Sequence, residues 1–182
     1  AAATGDTYVF TDVGVGLTPE GSGAGALYTT AAASAAVTNT VTETAFDKSV
    51  SIAANTLMPG DVIRVRAQII ATATNATDTL DMQLRLGTTD ILATGAVDVA
   101  NGDIGFIDAD IVVRTIGAGG TMVAVGHPAL GVPGTVTSKP KLLASTTLDT
   151  TAAISVNVSA TWSVANAGNS VRLDILNVQL IR

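Results

Sequence analysis

The chain of 182 residues is long enough for one substantial domain and too short for two comfortable ones. Its net charge of -6 excludes the basic field that a nucleic-acid-binding protein needs, and its lack of cysteine excludes disulfides, thiolate metal sites and a cysteine nucleophile. No apolar run approaches the roughly 18 residues of a membrane-spanning helix, so neither nucleic acid nor a membrane is predicted as a partner.

The composition favours a structural protein. Aromatic residues make up 3% of the chain and charged residues 13%, whereas enzyme pockets and sugar-binding clefts usually depend on aromatic and convergent polar groups. Thr, Val, Ala and Gly dominate instead, a mixture suited to strands joined by tight turns.

Residues 1–36 differ from the rest of the chain because they are rich in glycine and other small residues and have only a weak pattern. This composition predicts an extended N-terminal arm, followed by a domain over residues 37–182. The large side chains that could anchor the arm include Tyr8, Val9, Phe10 and Tyr28.

Strand-like alternation is clearest in LMPGDVIRVRAQI, residues 57–69, where a Pro-Gly-Asp turn precedes alternating apolar and polar side chains. A turn is also predicted at Asp47-Lys48, between two strand-like segments. In the last segment the apolar phase slips near Ile175, which predicts a β-bulge. The other predicted strands lie at residues 37–46, 49–54, 80–86, 104–117, 121–127, 153–162 and 170–181.

These segments predict an all-β fold, with about eight to ten short strands and no amphipathic helix. Frequent turn signals between short strands are typical of an antiparallel β-sandwich or a jelly roll. No internal repeat of 20–50 residues indicates a propeller or a solenoid.

Several arginines occupy the polar positions of the alternating strands, and they could bind an acidic partner or pair with carboxylates on the same sheet. Because the two signs of charge are mixed on these strands, the pattern favours a solvated face that pairs with itself. The arginines are Arg64, Arg66, Arg85, Arg114 and Arg172, and the candidate carboxylates are Asp81, Asp108, Asp110 and Asp174.

Candidate catalytic and metal-binding residues are few. His127 is the single histidine, and no nucleophile motif accompanies it, so no catalytic residue is predicted and the chain is not expected to be an enzyme. Asp98, Asp103, Asp108 and Asp110 form a local acidic cluster, but they lack the loop pattern of a calcium site. Whether they hold an ion stays open, and no metal or cofactor is predicted.

Four strings carry a resemblance to a recurring virion protein of tailed bacteriophages. They are LMPGDVIRVRAQIIATAT, LDMQLRLGTTDILATGAV, IVVRTIGAGGTMVAVG and LDTTAAISVNVSATWSVANAGNSVRLDILNVQLI. In that group a Leu-x-x-Gly-Asp turn opens an IRVRA strand, an LRLG strand follows, and an ATWS hairpin closes the domain. The resemblance covers roughly Val37 to Arg182 and contains no catalytic signature.

The resemblance implies a jelly-roll head decoration, or cement, protein on the outer surface of the capsid. Its implied partners are the major capsid protein and further copies of itself, commonly as a trimer, with the N-terminal arm reaching neighbouring subunits. Tyr8, Val9, Phe10 and Tyr28 are then the candidate contacts, although packing within their own subunit is an equal alternative.

Two other functions are compatible with the sequence. A tail- or head-fibre module that binds host-surface glycan would be favoured by an exposed aromatic cluster, which the sequence does not obviously offer. A small jelly-roll hydrolase is the weakest interpretation, because it would depend on His127 without a nucleophile motif.

Overall fold

The computed structural model describes residues 25–73, 77–133, 136 and 140–182. Within these ranges the chain forms strands and turns, and no helix that could span a membrane is present. The strands are β1 Gly25–Thr29, β2 Val37–Thr38, β3 Thr44–Ile52, β4 Val62–Thr72, β5 Thr79–Leu86, β6 Thr89–Ala93, β7 Val97–Asp98, β8 Asp103–Thr115, β9 Thr121–Gly126, β10 Ala129–Gly131, β11 Lys141–Thr147, β12 Ile154–Trp162 and β13 Ser170–Ile181.

The main strands form nested antiparallel pairs: β1 with β13, β3 with β12, β4 with β8, and β5 with β6. The larger sheet has the order β1-β13-β4-β8-β9-β11, with β2 on β13 and β10 on β8. The smaller sheet has the order β3-β12-β5-β6, with β7 on β5. This nesting is that of a jelly roll, so the predicted all-β antiparallel sandwich of jelly-roll type is confirmed.

The core lies between the two sheets and follows the alternation of the sequence. Every second side chain of β4, β5, β8 and β12 is buried, and Trp162 at the end of β12 is only 1% exposed. Each fully buried Leu, Ile or Met side chain stabilises the fold by roughly 1.5–3 kcal/mol. The largest core side chains include Ile63, Ile69, Leu80, Met82, Leu84, Ile107 and Ile111.

The adjacent central strands β4 and β8 are each preceded by a turn that contains a Gly-Asp pair. In the first, the carboxylate of Asp61 accepts the backbone N–H of Met58 at 3.0 Å, and in the second Asp103 accepts that of Ala100 at 2.9 Å. Both carboxylates are buried, and the glycine before each has a positive φ, 96° and 86°. The Gly-Asp pair therefore fixes where each central strand begins.

β3 runs from Thr44 to Ile52 without a break, so the turn predicted at Asp47-Lys48 is wrong. Between two successive register pairs, β3 has three residues where β12 has one. The additional residues are accommodated in a wide irregularity of the strand. Phe46, only 3% exposed, holds the chain against the core through this irregularity.

The β-bulge predicted near Ile175 is confirmed. The register between β13 and β4 shifts between Leu173 and Ile175. As a result Leu173 and Leu176 are both buried, whereas Ile175 points to the outside of the larger sheet and is 46% exposed.

The last third of the predicted N-terminal arm lies on the sandwich itself. Gly25–Thr29 forms β1, which pairs with β13 at one edge of the larger sheet. Ser34 is buried, donates its N–H to the carbonyl of Leu173 at 2.8 Å, and accepts the N–H of Leu173 at 2.9 Å through its hydroxyl. Residues 25–34 therefore contribute directly to the fold.

Candidate binding face on the larger sheet

The outward side chains of β13, β4 and β8 line a groove on the face of the larger sheet opposite to the core. We call it the outer groove, and its volume is about 640 Å³. It is built from three cross-strand rows because each β13 residue lies opposite a β4 residue, which lies opposite a β8 residue. The rows are Ile175–Gln68–Phe106, Asn177–Arg66–Asp108 and Gln179–Arg64–Asp110, and the last of these side chains, Asp110, lines the hollow that adjoins the groove.

A second hollow of about 410 Å³ adjoins the outer groove on the β9 side. The two hollows share Arg64, Arg66 and Asp108, and the second is bordered on its far side by Val125 and His127. Together they form a continuous depression that crosses β13, β4, β8 and β9.

The two arginines of β4 pair with two aspartates of β8, which confirms the prediction of a face that pairs with itself. Arg64 donates Nε to Asp110 at 2.8 Å and Nη2 to the same carboxylate at 3.2 Å. This pairing raises the pKa of the Arg64 guanidinium above its ordinary value. Arg66 is held more loosely, with a single Nε contact to Asp108 at 3.4 Å and a side chain that is 68% exposed.

The remaining arginines have different partners. Arg172 contacts Asp174 at 2.7 Å, two residues along β13. Arg85 contacts Glu43 at 2.8 Å and Asp90 at 2.9 Å, and neither carboxylate was among the partners predicted from the sequence. Within the described ranges, no carboxylate forms an ion pair with the exposed Arg114.

Asp81 does not pair with an arginine, so this candidate pairing is wrong. Its carboxylate accepts the hydroxyl of Thr94 at 3.2 Å and the side-chain amide of Gln83 at 3.3 Å. Asp81 is therefore committed to contacts with its own strand and with the segment that follows β6.

The acidic cluster predicted from the sequence is dispersed in the structure. Asp103 is buried in its turn, Asp108 and Asp110 pair with arginines, and Asp98 lies exposed on β7. Among the described residues, no three His, Cys, Asp or Glu side chains are placed together to hold a metal ion.

His127 follows β9 and is exposed at the border of the second hollow. Its backbone N–H donates to the carbonyl of Asp108 at 2.8 Å, which ties this position to β8. The histidine therefore borders a charged surface formed by two ion pairs.

The candidate partner contacts from the arm fall into two groups. Tyr8, Val9 and Phe10 lie outside the described residues. Tyr28 lies in β1, where it is partly buried and packs against the core of its own subunit. Contact of these four residues with a partner stays a prediction.

One end of the sandwich brings together the start of β1 and two exposed apolar side chains, and we call it the arm end. Gly25 lies opposite Leu180, which lies opposite Ile63 near the start of β4. The turns at this same end carry Met58, 58% exposed, and Ile116, 51% exposed. Residues 1–24 precede Gly25 in the chain, so they join the sandwich at the arm end.

No protein-family model matches the chain, and no curated protein matches it significantly. Among solved structures, it is similar to the CBM2 module of the evolved Dit of Lactobacillus casei BL23 phage J-1, with 12% identity, a TM-score of 0.38, and 73% of this chain and 68% of that chain covered. It is also similar to lectin UEA-II complexed with galactose, with 11% identity and a TM-score of 0.37, and this match covers 76% of this chain and 80% of the lectin. The third similar structure is the winged bean acidic lectin, with 13% identity and a TM-score of 0.33, and the match covers 76% of this chain and 78% of the lectin. The strand order of the two sheets is that of a jelly roll.

Proposed function

We propose that this protein is a non-enzymatic structural component of a tailed-phage virion, a decoration protein that binds and stabilises the assembled head. The observation that carries the proposal is the arm end, where Met58, Ile116 and the junction with residues 1–24 lie together. The sequence resemblance to phage virion proteins supports the same function.

The arm end supplies what a contact with a protein shell needs. Single exposed apolar side chains are ordinary on a protein surface. Here two of them, each more than half exposed, occupy turns at the end where a 24-residue segment enters the fold. That segment has no lysine or arginine and can reach as far as about 3.3–3.6 Å for each residue when extended. The arm end is therefore the surface we assign to the major capsid protein.

The charged face of the larger sheet supports a function without catalysis. Arg64 and Asp110 hold one another in a bidentate pair, and Arg66 is balanced by Asp108. In the proposed function, the protein acts through the area of its contacts and the number of its copies. Many copies, as trimers on the outer surface of the capsid, would make weak individual contacts strong together.

The test is saturable binding of the purified protein to undecorated phage heads. The full chain is compared with a chain that lacks residues 1–24. The deletion ends at residue 24 because removing residues 25–36 would also remove β1 and the buried Ser34. We expect the full chain to saturate at a copy number set by capsid symmetry, and the chain lacking residues 1–24 to bind much more weakly.

Point substitutions separate the arm end from the rest of the surface. We expect the double variant Met58→Asp and Ile116→Asp to reduce binding to heads by about tenfold or more, because charges would replace apolar contacts. The matched control is Val164→Asp, an exposed apolar residue in the turn at the opposite end of the sandwich. Equal loss of binding in both variants, or no loss in either, would contradict the assignment of the arm end.

A further inference from the structure

We propose that the outer groove is a binding site for a neutral oligosaccharide. The groove lies on the face of the larger sheet, whereas the arm end lies at the end of the strands, so one subunit can use both surfaces. The inference does not rest on head binding, and it is tested on the isolated protein.

The first row of the groove has an apolar surface, which results from the β-bulge in β13. Regular alternation would not place Leu173 and Leu176 both in the core, and the β-bulge that does so turns Ile175 outward. Bulges commonly re-aim a side chain next to a functional site. In the same row, across Gln68, lies the partly buried Phe106. Two apolar groups on either side of an amide match a sugar ring, which has an apolar C–H face and polar edges.

The second row offers hydrogen-bonding groups that are not fully used. Arg66 makes one contact at 3.4 Å and is 68% exposed, so its guanidinium retains donors, and Asp108, 48% exposed, retains acceptors. Asn177 donates its amide N–H to Thr29 at 2.6 Å, which orients the side chain and leaves its carbonyl as an acceptor. Donors and acceptors within one row suit hydroxyl groups, because a hydroxyl both donates and accepts.

The charge of the face selects a neutral ligand. Arg64 and Arg66 are paired with Asp110 and Asp108, so the depression formed by the two hollows has no net charge from these four groups to attract an acidic or a basic partner. The chain as a whole carries a net charge of -6, which disfavours acidic ligands further.

The size of the depression leaves room for more than one sugar ring. The outer groove alone, about 640 Å³, lies within the roughly 300–1,000 Å³ of small-molecule sites. The adjoining hollow extends it across β9 by sharing Arg64, Arg66 and Asp108. A linear oligosaccharide lying across the strands would occupy both.

The experiment is a glycan array that contains neutral oligosaccharides of glucose, galactose, mannose, rhamnose and N-acetylglucosamine, together with sialylated and uronic acid glycans. Binding is then quantified by NMR titration with the neutral oligosaccharide that gives the strongest signal. We expect Arg66→Ala and Ile175→Ala each to weaken binding by about tenfold or more, since both side chains are exposed and each contributes one part of the site. The control Arg114→Ala, an exposed arginine on β8 outside the groove, should bind as the unaltered chain does.

Three results would overturn the proposal: no neutral oligosaccharide binding at millimolar concentration, binding only to acidic glycans, or binding that neither Arg66→Ala nor Ile175→Ala weakens. The last result would place any glycan site elsewhere on the protein. Because the assay needs no phage heads, its failure is distinguishable from failure of the proposed decoration function.

Discussion

Replacing Gly126 with alanine is expected to lower the free energy of unfolding by about 3 kcal/mol. Gly126 ends β9 and is buried against β8 and the side chain of Leu92. A Cβ atom at this position would lie 2.6 Å from the carbonyl oxygen of Asp108 and 3.1 Å from Cα of Ala109, and it would also collide with Leu92. Two of these neighbours are backbone atoms of β8, so they cannot move without disturbing the pairing of the central strands.

Urea unfolding of the variant measures this effect directly, as a shift of the midpoint at unchanged slope. Gly119→Ala is the matched control, because Gly119 lies in the neighbouring turn and a Cβ atom there would meet nothing within 4 Å. An equally small effect of both substitutions would show that β9 does not pack closely on β8 at this point.

The second large effect is expected for Asp61→Ala, which should lower the free energy of unfolding by about 2 kcal/mol. Asp61 is 4% exposed, and its carboxylate accepts the N–H of Met58 at 3.0 Å and lies 3.7 Å from Nε of Arg182. Alanine would leave the Met58 N–H without its acceptor in a turn that starts a central strand.

Two comparisons test the cause of this loss. Asp61→Asn retains an oxygen acceptor and should recover most of the stability, whereas Asp98→Ala removes an exposed carboxylate from β7 and should change stability little. If Asp61→Asn were as destabilising as Asp61→Ala, the negative charge near Arg182 rather than the hydrogen bond in the turn would be the dominant contribution.

Much of the fold could be predicted because alternation is a local property of the chain. In β4, β5, β8 and β12, which were all predicted as strands, every second side chain is buried in the core. The bulge near Ile175 was also visible, because a phase slip between Leu173 and Leu176 appears in the sequence itself. The continuity of β3 through Asp47-Lys48 could not be predicted in the same way, because the irregularity there depends on how β3 pairs with β12.

The candidate binding face was predictable only in part. Pairing of Arg64 and Arg66 with Asp110 and Asp108 followed from mixed charges on two adjacent, strongly alternating strands. The partner Glu43 of Arg85 did not follow, because it precedes β3 and only the sheet order brings it near β5. The partner Asp90 is local, because it lies opposite Arg85 across the short turn between β5 and β6.

The outer groove could not be predicted for the same reason, because it depends on which strands are neighbours in the sheet. Ile175, Gln68 and Phe106 come from three strands far apart in the chain, and they form a row only through the register of β13, β4 and β8. One signal in the sequence could have indicated it: the phase slip places an isoleucine on a face that is otherwise polar.

We propose that the protein binds assembled phage heads through the arm end. Electron cryomicroscopy of undecorated heads saturated with the full chain tests it most directly. We expect copies at positions set by capsid symmetry, with Met58 and Ile116 facing the shell and the outer groove open to solvent. Heads without bound copies, or copies that contact the shell through the opposite end near Val164, would contradict it.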